Sequence, residues 1–163
     1  MNDDGSAGRA RHSALRLLAR REHSQYELRR KLKARGYGER LVDELVAELI
    51  TERLLSDTRY AEAMVTNRAS RGYGPLRICM ELRDRGVAER IVDKVLQEAK
   101  VDWDERLRHT HDRKYGEIAV ESFKTWASRA QFLNNRGFSV DAIRRVIGNY
   151  GASTPDTRRA TKE

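Results

Sequence analysis

The chain has 163 residues, of which 39% are hydrophobic and 36% are charged, and its formal net charge is +8. So few apolar residues beside so many charged ones cannot fill one large core, which favours an elongated protein. The net positive charge favours a partner that is acidic or carries phosphate groups. No segment has the roughly 18 uncharged apolar residues of a membrane-spanning helix, and the N-terminus lacks the apolar centre of a signal peptide. Only 2 Pro and 11 Gly interrupt a sequence rich in Leu, Arg, Glu and Ala, so helices are predicted throughout. We therefore expect an all-helical cytoplasmic protein that does not contact membranes.

The N-terminal part of the chain predicts a disordered start followed by two helices. Residues 1–13 are rich in Gly, Ser, Asp and Arg without apolar periodicity, which predicts disorder. Ala14–Arg21 is the first predicted helix. Ser24 and Glu27 have the spacing of a capping box, which predicts the start of the second helix.

The second predicted helix carries the densest basic stretch of the chain: Arg29, Arg30, Lys31, Lys33 and Arg35. If Leu28 and Leu32 point inward, then Arg29, Arg30 and Lys33 point outward and are candidates for partner binding. A solvated surface that maintains solubility is the alternative interpretation of the same charges.

The same helix ending occurs three times, at Gly36, Gly86 and Gly137, with spacings of 50 and 51 residues. In each case Leu lies four residues before the glycine, Arg lies immediately before it, and a large apolar residue follows. This pattern predicts a helix that ends at a left-handed glycine, with the next residue packed against its last turn. The preceding cations, Arg35, Arg85 and Arg136, complement the helix dipole, although a partner contact is an alternative role.

Each glycine is followed by an apolar stripe that predicts one more helix, so the chain divides into repeats of three helices. We predict repeats at 14–55, 56–100 and 101–151, stacked as a curved solenoid, and a disordered tail at 152–163. Arg59–Ser70 and Trp103–Tyr115 are the first helices of the second and third repeats. Pro75 and the pair Asp102 and Glu105 mark further helix starts. The third repeat is divergent: Arg129 stands where the others have Leu or Ile, as expected for a terminal repeat that faces water.

Residues that could support catalysis or metal binding are few. His109 and His111 are two positions apart on a predicted helix, which directs them away from each other, and both are predicted to be surface residues. Cys79 is alone, which excludes an intramolecular disulfide, and its apolar neighbours favour a buried position. Gly72–Pro75 is predicted to be a linker. The sequence therefore predicts a protein that is not an enzyme and has neither metal nor cofactor.

The run Leu54-Leu-Ser-Asp-Thr-Arg-Tyr-Ala-Glu-Ala63, continued by Arg71-Gly72, Gly74-Pro75 and Arg85-Gly86-Val87, resembles the central signature of the RecX family. The resemblance extends over roughly residues 14–150. It implies a regulator that binds along the RecA filament on DNA and inhibits filament growth, strand exchange, ATP turnover and coprotease activity. Ser56 and Thr58 depart from this pattern, because acidic residues are common there in the family.

The signature surrounds a second basic set, which we consider the better candidate for partner binding: Arg68, Arg71, Arg77 and Arg83. Tyr60 is assigned a structural role, like the three glycines, because an aromatic residue among alanines on a helix usually packs between helices. We expect a monomer. The alternative function is a basic helical protein that binds nucleic acid through phosphate contacts without a recombinase, and weak direct contact with DNA is compatible with either function.

Overall fold

The computed structural model describes residues 3–116 and 118–150. These residues form nine α-helices and no strand. The helices are α1 (Asp3–Leu18), α2 (Gln25–Lys33), α3 (Glu39–Thr51), α4 (Asp57–Ser70), α5 (Pro75–Asp84), α6 (Glu89–Glu98), α7 (Trp103–Tyr115), α8 (Phe123–Asn135) and α9 (Val140–Ile147). They fall into three successive sets of three, which confirms the predicted all-helical repeat fold. The predicted curvature remains a prediction.

The chain packs as two compact units whose boundary falls inside the second repeat. Among the described residues, one unit contains those up to Arg68 together with Ile78–Lys100, and the other contains Ala69–Arg77 together with those that follow Lys100. The first turn of α5 therefore belongs to the second unit, and the rest of that helix belongs to the first.

Each unit has its own apolar core. In the first unit, α2 contributes Leu28 and Leu32, both with no exposed surface, and these pack with side chains of α1 and α3. The second unit is built around a smaller set that α7, α8 and α9 supply together with the residue after Gly137: Leu107, Leu133, Phe138 and Ile143. The recurring glycine motif supplies Leu28, Leu32, Leu133 and Phe138, and the apolar stripe after Gly137 supplies Ile143. Apolar spacing therefore accounts for the buried face of these helices, whereas Leu107 was not singled out from the sequence.

The three recurring glycines end their helices in the predicted conformation. Gly36, Gly86 and Gly137 have φ values of 87°, 72° and 95°, which L-residues with a side chain rarely adopt. The residue after each glycine donates its N–H to the carbonyl of the recurring Leu, over 3.4, 3.1 and 3.2 Å respectively. This is the hydrogen bond of a Schellman ending, and it satisfies a carbonyl that the helix leaves unpaired.

Helix starts are fixed mainly by side-chain caps. The Ser24 hydroxyl accepts from the N–H of Glu27 at 3.1 Å, and the Asp102 carboxylate accepts from the N–H of Glu105 at 3.0 Å. Pro75 is the first residue of α5, as predicted. The carboxylates of Glu27 and Glu105 do not complete a capping box in the usual way, because they bind arginine side chains.

The prediction of disorder at residues 1–13 is wrong where the structure describes them, because α1 begins at Asp3. Ala10 and Ala14 have no exposed surface and belong to the same core as Leu17. The Arg11 guanidinium also donates to the Glu52 carboxylate at 2.6 Å. Small residues on one face therefore anchor this helix, and they carry too little apolar surface to stand out in the sequence. The predicted disordered tail at 152–163 lies outside the described residues.

Candidate partner-binding surfaces

The basic face of α2 is partly neutralised by the acidic residues of α3. Arg29 Nε donates to Asp43 Oδ1 at 3.0 Å, and Lys33 Nζ to Glu39 Oε1 at 2.5 Å. Arg30 is exposed. The predicted outward direction of these three side chains therefore agrees with the structure, but two of the three charges are paired with carboxylates on the next helix.

Arg68 and Arg83, which are predicted to bind a partner, each form an ion pair with a glutamate. Arg68 Nη2 lies 2.7 Å from Glu81 Oε2, and both side chains are largely buried, with 27% and 19% of their surfaces exposed. Arg83 Nε donates to Glu89 Oε2 at 2.7 Å, and this pair is exposed. Arg68 therefore contributes to the packing of α4 against α5, in addition to any contact with a partner.

The other two arginines of this set, Arg71 and Arg77, lie in the second unit. The Arg77 guanidinium is centred 5.5 Å from the ring of Tyr73 and donates weakly to the Asn135 carbonyl at 3.5 Å. Arg71 is exposed at the end of α4. The structure therefore separates the four predicted arginines into two pairs on different units.

Arg71 opens onto a cleft of about 640 Å³ in the second unit. Its lining residues come from the end of α4 and the residues that follow it, from α7 and from the end of α8: Ser70, Arg71, Gly72, His109, Thr110, Arg113, Lys114, Phe132 and Arg136. The lining contains four side chains with permanent positive charge and no carboxylate. No sequence motif groups these residues, because they are brought together from three distant segments.

A buried carboxylate organises the first unit. Glu27 is 3% exposed, and its oxygens are bound by Arg21, at 3.0 Å, and by Arg85 of the second repeat. Burial raises the pKa of Glu27. The hydrogen bond and charge of Arg21, together with the charge of Arg85, lower this pKa by more than burial raises it, so the net shift is downward. Tyr60 is 5% exposed, and its hydroxyl lies 3.5 Å from Arg85. Its burial supports the structural role assigned to it.

The two inner repeat junctions are close-packed at glycine. A Cβ atom added to Gly86 would lie 2.7 Å from Cβ of Tyr26 at the start of α2. A Cβ atom added to Gly137 would lie 2.5 Å from the backbone nitrogen of Arg77 at the start of α5. Gly36 has no heavy atom within 4 Å of that position. Gly86 and Gly137 therefore do more than end a helix: the absence of a side chain also allows the neighbouring repeat to pack closely against them.

Two predictions about the third repeat are wrong. Arg129 does not face water but is 4% exposed, and it donates to the Ile118 carbonyl at 2.8 Å with its guanidinium centred 4.9 Å from the Tyr115 ring. His111 is also buried, at 8% exposed, and its Nδ1 lies 2.8 Å from Asp112. Arg129 keeps the inward position of Leu28 and Ile78, and its long side chain reaches carbonyl groups that an aliphatic residue would leave unpaired.

Among the side chains that the structure describes, no group of three or more His, Cys, Asp or Glu residues could hold a metal ion. Cys79 is half-buried and unpaired with another cysteine. Within the same residues, no helix combines the length and apolarity needed to cross a membrane.

Comparison with known proteins places this arrangement in a family. Three family models match in chain order: the first three-helix domain of RecX at residues 10–49, the second at 56–96 and the third at 102–147. The chain belongs to the RecX family. The Regulatory protein RecX of Halorhodospira halophila is 43% identical over 145 residues, covering 88% of this chain and 90% of that protein. The Regulatory protein RecX of Ectopseudomonas mendocina is 44% identical over 137 residues, covering 84% and 91%.

Solved RecX structures have the same fold. The crystal structure of RecX from Lactobacillus salivarius superposes with a TM-score of 0.75 at 21% identity, covering 88% of this chain and 96% of that chain. A second crystal structure of regulatory protein RecX gives a TM-score of 0.69 at 22% identity, with coverage of 87% and 71%. The resemblance found in the sequence is therefore confirmed at the level of family and fold.

Proposed function

We propose that this RecX-family chain regulates the RecA recombinase by binding its filament on DNA, and that it thereby inhibits filament growth, strand exchange, ATP turnover and coprotease activity. The match of all three RecX domains, in order, supports this proposal most strongly. The protein acts in DNA repair, homologous recombination and the SOS response. It works in the cytoplasm as a monomer, by binding and not by catalysis.

The basic residues of the second repeat remain our first candidates for the filament contact. Arg71 and Arg77 are exposed, and Arg83 is half exposed although it is paired with Glu89. An ion pair at the surface exchanges partners readily, because its net contribution to stability is small. Arg68 is the weakest member of the set, since most of its side chain is buried against Glu81. The outward residues of α2, namely Arg29, Arg30 and Lys33, form the second candidate surface.

A RecA ATP-turnover assay on single-stranded DNA tests the proposal. Addition of the protein should lower steady-state turnover in a concentration-dependent manner. The variant Arg71→Ser/Arg77→Ser/Arg83→Ser should remain folded and should inhibit more weakly at the same ionic strength, because charges at an interface chiefly affect encounter and salt dependence. The matched variant Arg29→Ser/Arg30→Ser/Lys33→Ser removes the same number of charges. If the second variant loses inhibition and the first does not, the filament contact lies on α2.

A further inference from the structure

The basic cleft of the second unit has a one-sided charge distribution that core packing does not require. Arg71, Arg113, Lys114 and Arg136 line it, with His109 beside them, and no carboxylate is among the lining residues. Elsewhere in the described chain, arginines are commonly paired with acidic residues on neighbouring helices, as in Arg29 with Asp43. Like charges gathered without counter-charges repel each other. An anion bound in the cleft would relieve that repulsion.

The four permanent cations divide into two that are held in place and two that are available. Arg136 donates to the Arg71 carbonyl at 3.2 Å and lies over the rings of Tyr73 and Phe132, with its guanidinium centred 4.9 and 5.3 Å from them. Lys114 Nζ lies 3.7 Å from the centre of the Phe132 ring. The guanidinium groups of Arg71 and Arg113 are both exposed, and neither forms an ion pair with a residue that the structure describes.

The cleft is preformed by backbone packing. Gly72 has a φ of 80°, and a Cβ atom there would lie 2.8 Å from Oγ1 of Thr110 on α7. The Gly74 N–H donates to the Arg136 carbonyl at 2.8 Å, which fixes the same segment to the end of α8. The chain that carries Arg71 is therefore held between α7 and α8. Little ordering is needed before a ligand binds, and preorganisation of this kind favours affinity.

We propose that this cleft binds the phosphodiester backbone of single-stranded nucleic acid. Arginine guanidinium groups suit phosphate oxygens, which accept two parallel hydrogen bonds. An acidic peptide is the competing anion, since arginine clusters also recognise acidic motifs, but a peptide that binds as an added strand needs a free backbone edge to pair with. The backbone groups of α7 and α8 are used within their own helices, so these two walls offer side chains and no free backbone edge. A recess of this size also admits one strand more easily than a duplex. The proposal goes beyond the proposed function, since it requires no RecA.

The test is binding of fluorescein-labelled oligothymidylate to the full chain, followed by fluorescence anisotropy across a salt series without RecA. The variant Arg71→Ser/Arg113→Ser removes the two available cations and leaves Lys114 and Arg136, which lie over aromatic rings, in place. The matched control, Lys124→Ser/Arg144→Ser, removes two exposed cations of the same unit that do not line the cleft. Thermal melts establish that both variants are folded. Unlabelled poly-glutamate and duplex DNA serve as competitors.

We expect the cleft variant to bind at least about tenfold more weakly than the unchanged chain at moderate salt. Two lost phosphate contacts should also reduce the slope of log affinity against log salt by about 1.4, since each contact to a single strand contributes roughly 0.7. The control should keep most of the affinity. The proposal is overturned if the unchanged chain does not bind the oligonucleotide, if both variants lose affinity equally, or if poly-glutamate or duplex DNA competes as well as a single strand does. Because RecA is absent, none of these results bears on filament regulation.

Discussion

The same substitution, glycine to alanine, at each of the three recurring glycines separates the energetic cost of backbone strain from that of a steric clash. Alanine at Gly36 places a Cβ at a φ of 87° in open space, so only the left-handed conformation opposes it, at about 1–2 kcal/mol. Alanine at Gly86 meets the same strain and also places its Cβ 2.7 Å from Cβ of Tyr26. Overpacking of this kind adds about 1–3 kcal/mol. Gly137→Ala should be the most damaging, because its Cβ would meet the Arg77 backbone at 2.5 Å, which cannot move as a side chain can.

Urea unfolding followed by circular dichroism at 222 nm measures this order. The free energy of unfolding should fall least for Gly36→Ala, more for Gly86→Ala by at least about 1 kcal/mol, and most for Gly137→Ala. Because the protein packs as two units, unfolding should be monitored with more than one probe. Equal losses at all three sites, or a larger loss at Gly36 than at Gly86, would show that the close contacts at the repeat junctions do not contribute to stability.

Three further predictions concern buried polar groups. Glu27→Gln should lower stability by about 2 kcal/mol in thermal melts at pH 7, because it leaves Arg85 without its buried partner. Since the pKa of Glu27 is lowered, the stabilisation by its carboxylate is present above about pH 4.3 and is lost as the pH falls. The variant should lack this loss of stability in acid. His23 is 2% exposed and its pKa is lowered, chiefly by burial. Stability should therefore fall as the pH drops below about 6.5. The melting temperature of His23→Gln should depend less on pH over this range. Arg129→Ala should lower stability by about 2 kcal/mol in urea unfolding, through a lost bond to the Ile118 carbonyl and the cavity left behind; an unchanged midpoint would refute the structural role of this guanidinium.

Local signals in the sequence account for most helix boundaries. The first helices of the second and third repeats begin and end within two residues of their predicted positions. Pro75 and Asp102 mark the starts of α5 and α7, and the three recurring glycines end α2, α5 and α8, because such signals act within one helical turn of their own position. The start of α1 was missed, since alanine carries little apolar surface and Ala10 with Ala14 do not stand out as a stripe.

The candidate sites were harder to predict, because they depend on contacts between distant segments. Glu27 and Arg85 are 58 positions apart, and the sequence alone gave no reason to pair them. Arg71 was selected from its motif, but its neighbours Arg113 and Arg136 come from other helices. Arg129 was misplaced for a different reason: a charged residue at a core position indicates a solvent-facing helix only when no buried carbonyl lies within its reach.

Steady-state ATP turnover by RecA filaments on single-stranded DNA, measured during titration with this protein, tests the central claim most directly. We expect a saturable decrease in turnover at protein concentrations below that of RecA, and a weaker decrease for Arg71→Ser/Arg77→Ser/Arg83→Ser at fixed ionic strength. Turnover that stays constant up to a molar excess of folded protein would contradict regulation of RecA by this chain.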